Sequence, residues 1–269
     1  MDNSVIFAFV LTIIAGLSTG IGSIFAFFTR RTNTKFLAVA LGFSAGVMIY
    51  VSFIDIFMEA KDLLATELGK QGGMWATMGA FFGGIFIIAL IDYLVPSYEN
   101  PHESHMVEEI GTCETIPVNK KLFRSGLLVA AAITIHNFPE GIATFTMALK
   151  NQSVGIAIAF AIAIHNIPEG IAVSIPVFCA TGERKRAFLL SLLSGFAEPL
   201  GALLAYIILL PFLNNLILGI VFASVAGIMI YISFDELLPS AREYGEHHLS
   251  MYGLIAGMII MSVSLILLG

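Results

Sequence analysis

Ile135-His-Asn-Phe-Pro-Glu-Gly-Ile-Ala143 and, 29 residues later, Ile164-His-Asn-Ile-Pro-Glu-Gly-Ile-Ala172 are one polar phrase set twice into long apolar runs. On an α-helix, positions i and i+4 share a face. His136 therefore sits over Glu140 and His165 over Glu169, with Asn137 and Asn166 about 100° around the axis. Each helix offers an imidazole, an amide and a carboxylate toward one side. What that means depends on the surroundings of the two phrases.

Those surroundings are lipid. The 269 residues are 58% hydrophobic and only 12% charged, with a mean hydropathy of +0.92, whereas a soluble chain carries about a quarter of its residues as charges. A membrane span needs about 20 largely apolar residues. On that template eight spans follow, at roughly 4–28, 36–58, 74–96, 125–149, 153–178, 187–211, 214–238 and 251–268. The expected fold is an all-α polytopic membrane protein in one domain, 1–269, with a polar loop at 97–124 between spans three and four. The first span follows Met-Asp-Asn-Ser without a basic region or cleavage site, so it is read as uncleaved. Cys113 and Cys179 are too few for a disulfide framework and form no CxxC pair. A net charge of −6 without a basic stripe excludes a nucleic-acid partner; the lipid bilayer is the expected surrounding.

Lys and Arg mark the cytoplasmic loops. Counting alternate loops, one side holds Arg30, Arg31, Lys35, Lys120, Lys121, Arg124, Arg184, Lys185, Arg186 and Arg242, ten of the 13 basic residues, and the other holds Lys61, Lys70 and Lys150. Both termini are expected outside. His102 and His105 then lie in the acidic cytoplasmic loop, and His247 and His248 in another; two histidines in a solvated acidic loop are more often simply a loop.

A second repeat pairs Ala45–Ala60 with Ala226–Ala241, identical at eight of 16 positions without a gap. It aligns Asp55 with Glu236. By the loop count the two copies run in opposite directions, and inverted repeats mark transporters. Gly16-x-x-x-Gly20 and Gly79-x-x-x-Gly83 are spacings that let helices touch, and they permit a homodimer.

Pro139 and Pro168 each free a backbone carbonyl one turn back. A lone proline would be a kink, but two beside the same polar residues suggest broken helices around a ligand. Glu140, Glu169 and Glu198 share spans four to six, which hold no Lys or Arg, and a carboxylate at mid-bilayer costs about 2.5–3.5 kcal/mol. Protons or a cation must neutralise them. His and Glu at i, i+4 on two facing helices supply the borderline nitrogen and oxygen donors of zinc and neighbouring first-row metals; calcium and magnesium take oxygen ligands without imidazole. Asp55 and Glu236 are either pathway ligands or interfacial carboxylates. Met48, two turns before Asp55 on the same face, is a soft ligand or core filler.

With eight spans, His136-Asn-Phe-Pro-Glu-Gly141 in the fourth and His165-Asn-Ile-Pro-Glu-Gly170 in the fifth, the chain resembles the ZIP (Zrt-, Irt-like) family of divalent-metal transporters over essentially its whole length. Ala197-Glu-Pro-Leu-Gly201 belongs to the same likeness. The resemblance implies inverted three-helix repeats, spans 1–3 and 6–8, around spans four and five, with a two-metal centre between them. It implies His136, Glu140, His165 and Glu169, with Met48 nearby, for one metal. For the other it implies Asn137, Asn166 and Glu198, with Glu140 and Glu169 bridging. Asp55 takes the entrance position. Family members often carry a carboxylate where this chain has Asn166, so the second site loses a negative charge here. The implied cargo is zinc first, with iron, manganese, cobalt and cadmium also acceptable to this donor set, moved across the bacterial inner membrane into the cytoplasm. The metal is cargo; no catalytic cofactor is expected.

Two rivals come from other classes. An intramembrane metalloprotease would need HExxH, and the string here lacks the second histidine at i+4, so no enzyme is expected. A proton-coupled carrier of another solute would use the His/Glu pairs as a relay, and it leaves the duplicated imidazoles without a reason.

Overall fold

The computed structural model describes residues 2–28, 34–94, 120–209, 214–243 and 247–268, and among these it is helical apart from short joints, with no strand. In chain order the helices are α1 (Asn3–Phe28), α2 (Thr34–Val51), α3 (Phe57–Leu94), α4 (Lys120–Lys150), α5 (Gln152–Thr181), α6 (Arg184–Gly195), α7 (Ala197–Leu204), α8 (Asn215–Ile232), α9 (Leu238–Glu243) and α10 (His247–Leu268). Six stretches among the described residues are long and apolar enough to cross a membrane: Asn3–Phe28, Ala38–Tyr93, Gln152–Thr181, Arg184–Ile208, Asn215–Arg242 and His248–Leu267. The chain is therefore a multi-pass, all-helical membrane protein. The expected loop at 97–124, with His102, His105 and Cys113, lies outside the described residues up to 119.

Several joints differ from expectation. Residues 59–73, read as a loop, are helical up to a kink at Gly69 (φ 72, ψ 165) inside α3, a backbone that glycine adopts without steric cost. Span six is interrupted: α6 gives way to α7 at Phe196. Conversely, α4 runs on through Pro139 and α5 through Pro168, so the helices are not broken at the motif prolines. A membrane helix tolerates such a proline where neighbouring helices and local adjustment re-satisfy the freed backbone group.

Among the described residues three five-residue π-helical turns punctuate the bundle, at Ser52–Ile56 after α2, Ala205–Leu209 after α7 and Ser233–Leu237 after α8. The first and third occupy equivalent positions of the Ala45–Ala60 and Ala226–Ala241 repeat. Such turns favour functional sites.

The helices sort into two groups. In one, α1 lies along α5, α4 packs against α5 and α7, and α6 touches α1, α5 and α4. In the other, α3 lies along α8, and α2 along α10 with α9 beside it. The main seam between the groups is α2 against α5.

Glycines explain how closely the first group packs. A side chain at Gly170 would overlap the carbonyl of Thr19, and one at Gly22 that of Ile167, where α1 crosses α5. Gly141 meets Glu198 and Gly201 meets Phe138 in the same way where α4 crosses α7. The glycine ending each duplicated phrase is thus where a neighbouring backbone passes. Gly16 packs on Gly195 and Gly20 on Leu192, as their spacing suggests, but Gly79 and Gly83 face open space, and it is Gly84 that packs, on Ser224.

Candidate metal centre

Asn151 alone separates α4 from α5. Its side chain accepts from the backbone N–H groups of Ser153 and Val154, capping α5, while its own N–H closes the last turn of α4 on Met147 at 2.7 Å. Gly155 lets α5 turn back directly against Ala148. In this hairpin His136 stands 15 residues before Asn151 and His165 14 after it, so at 1.5 Å per residue both phrases lie about 21–22 Å from the tip. The short connection brings the two copies to one depth.

At that depth Asn137, Glu140, Asn166 and Glu198 are fully buried and Glu169 is 4% exposed. Burying so many polar groups in an apolar bundle is costly unless each is satisfied. Asn166 Nδ2 donates to Ala15 O on α1 at 2.9 Å and to Glu198 Oε1 on α7 at 2.5 Å. Asn137 Nδ2 donates to Ser194 O at the end of α6 at 3.4 Å. Both amides spend their donors on the scaffold, and Asn137 Oδ1 and Asn166 Oδ1 are left buried with no hydrogen-bond partner. A buried carbonyl-type oxygen in that condition is a fitting ligand for a cation.

Glu198 is delivered by the break between α6 and α7. It is the second residue of α7, where a helix dipole favours negative charge. Gly195 makes the approach possible, because a side chain there would overlap Gly16 O and crowd Thr19.

The structure thus brings Asn166 and Glu198 into contact and puts Asn137, Glu140 and Glu169 in the same buried group of helices. Met48 is also buried; Ser44, one turn before it, donates to Ala161 O, one turn before His165, at 3.3 Å. His136 and His165 hold their helical positions, but their side chains, like those of Glu236 and His247, lie outside the described residues. Among the described residues no three His, Cys, Asp or Glu side chains gather into a metal-holding cluster.

Asp55 lies apart, half-buried in the first π turn, with its Oδ2 buried and without a hydrogen-bond partner. Beside it Lys150, the last residue of α4, pairs with Glu59 of α3. Burial pushes the Lys150 ammonium below the usual lysine range, and the Asp55 carboxylate pulls it back. Sequence reasoning missed the Lys150–Glu59 pair, because both residues look like ordinary loop charges and nothing in their spacing joins them. It also missed the two serines, Ser23 and Ser191, that donate to Gly170 O at 3.2 and 3.3 Å.

The ZIP zinc transporter family model matches residues 96–265. A zinc transporter ZupT of Lysinibacillus sphaericus is 59% identical over 268 residues, covering all of both chains. That of Nitratidesulfovibrio vulgaris is 59% identical over 99% of this chain and 98% of its own, and that of Streptococcus mutans 57% identical over 99% of each.

Proposed function

Because this chain belongs to the ZIP zinc transporter family, we propose that it takes up divalent transition-metal ions, zinc first, through the paired motifs of α4 and α5. It is a transporter, not an enzyme. The observation that carries the reading is the burial of Glu140, Glu169 and Glu198 in helices with no Lys or Arg between Ser125 and Leu149 of α4, in α5 or in α7. Three carboxylates in such a setting need a cation or protons, and the duplicated imidazole positions favour zinc among cations.

Two adjacent metal positions suit the donors. His136, Glu140, His165 and Glu169 form the first, with Met48 beside it. Asn137, Asn166 and Glu198 form the second, bridged by Glu140 and Glu169; the unpartnered amide oxygens of Asn137 and Asn166 support this assignment. Iron, manganese, cobalt and cadmium suit the same donors. Asp55 receives the ion at the outer face and Glu236 stands at the opposite one. The eight-span arrangement with inverted repeats is supported by the kink that divides the 56-residue stretch at Gly69, by the 31-residue α4 and by the matching π turns. It puts both termini outside, in a bacterial inner membrane, and a homodimer is compatible with it.

Uptake of radioactive zinc into sealed proteoliposomes tests this. The native chain should accumulate zinc, and His136→Ala and Glu169→Ala should each abolish uptake, with competition by iron and manganese ranking the cargo. Native chain that accumulates no metal, or uptake indifferent to both substitutions, overturns the site and brings proton-coupled carriage of another solute forward.

A further inference from the structure

The Lys150–Glu59 pair crosses the seam between the two helix groups: Lys150 ends α4 and Glu59 opens α3. Exposed ion pairs of this kind contribute little stability, and here the side chains are 38% and 31% exposed. The pair matters for what it leaves beside it. Asp55, one helical turn before Glu59, feels the Lys150 charge yet keeps Oδ2 buried and without a hydrogen-bond partner. A lysine stem is long and flexible, and its ammonium is a compact point charge, so one ammonium serves two neighbouring carboxylates and has settled on Glu59. Its anchor is rigid, because Lys150 is fixed at the tip of the α4–α5 hairpin by the Asn151 cap.

We propose that Glu59 is a positioning residue that parks the Lys150 ammonium away from Asp55, keeping that carboxylate open to an arriving divalent cation. This rests on the reading of Asp55 as the outer receiving residue of a metal transporter. An ammonium and a metal ion compete for one carboxylate. With Glu59 in place the lysine has a resting partner and the metal meets Asp55 with little competition. Without it the lysine moves to Asp55 and the ion must displace it. Lys150 and Glu59 therefore set the zinc concentration that half-saturates uptake and leave the rate at saturation alone.

Zinc uptake kinetics of the full chain in proteoliposomes decide this with four proteins. Glu59→Gln should raise KM about fivefold, the factor that the ~1 kcal/mol attraction of two charges ~4 Å apart in water produces, with kcat within a factor of two. Glu59→Gln combined with Lys150→Gln should return KM to the native value or below it, since the competitor is gone. Lys150→Arg, which keeps the charge and the partner, should keep the native KM. If Glu59 were itself a metal ligand, the double substitution would stay at high KM; if the pair only held the fold together, kcat and the yield of inserted protein would fall with KM unmoved. Either result overturns the proposal while native uptake upholds transport. Native protein that takes up no zinc overturns the transport reading and the proposal with it.

Discussion

Asn166 shows how much one amide does in this site. Its nitrogen ties α5 to Ala15 on α1 and to Glu198 on α7, and its oxygen is left over. An aspartate there would remove the donor and set a second carboxylate against Glu198. Two ionised carboxylates at such range require a proton or a cation between them. Asn166→Asp is therefore expected to melt lower than the native protein in chelator, by roughly 4–8 °C, the shift that about 2 kcal/mol makes in a chain of this size. It should also gain more than the native protein does on adding zinc. A melting curve with and without metal checks both; a substitution that leaves both unchanged would remove Asn166 from the centre. The residues of the phrases were legible because His, Asn and Glu have no other business in an apolar run. The partners of Asn137 and Asn166 were not, since each is a backbone carbonyl, and every residue has one.

At the scale of the helix, the phrase His-Asn-x-Pro-Glu-Gly divides into chemistry and carpentry. Its first and fifth residues are the proposed donors, its glycine the bearing on which another helix rests. Gly170→Ala would drive a methyl into the Thr19 carbonyl, and overpacking of this kind costs about 1–3 kcal/mol. Gly79→Ala meets nothing within 4 Å and gains up to about 1 kcal/mol of helix propensity. Melting of the two variants side by side should separate them in opposite directions from the native protein. The sequence spacing alone could not tell these glycines apart, because close approach is a property of two helices and the spacing describes one. The same reason explains the misread joints: hydropathy locates apolar runs, but helix continues through the charged stretch up to Gly69, α6 gives way to α7 at Phe196 inside an apolar run, and the prolines that seemed to break helices sit inside continuous ones.

For the whole molecule, orientation is the property on which the direction of transport depends. With Cys113 and Cys179 replaced, single cysteines introduced at Lys61 and Lys70 should label with a membrane-impermeant thiol reagent from outside intact cells, and those at Arg184 and Arg242 only after the cells are opened. The reverse pattern would invert the molecule and make Asp55 an exit. The matching π turns at Ser52–Ile56 and Ser233–Leu237 carry a different message, about history. A π turn holds one residue more than the α-helical turn it replaces, and such a residue arrives by insertion. The stretches Ala45–Ala60 and Ala226–Ala241 differ at half their positions, yet both keep the extra residue at the same place. If one segment gave rise to both stretches, the insertion is older than that duplication, and the bulge has outlasted half of the letters around it.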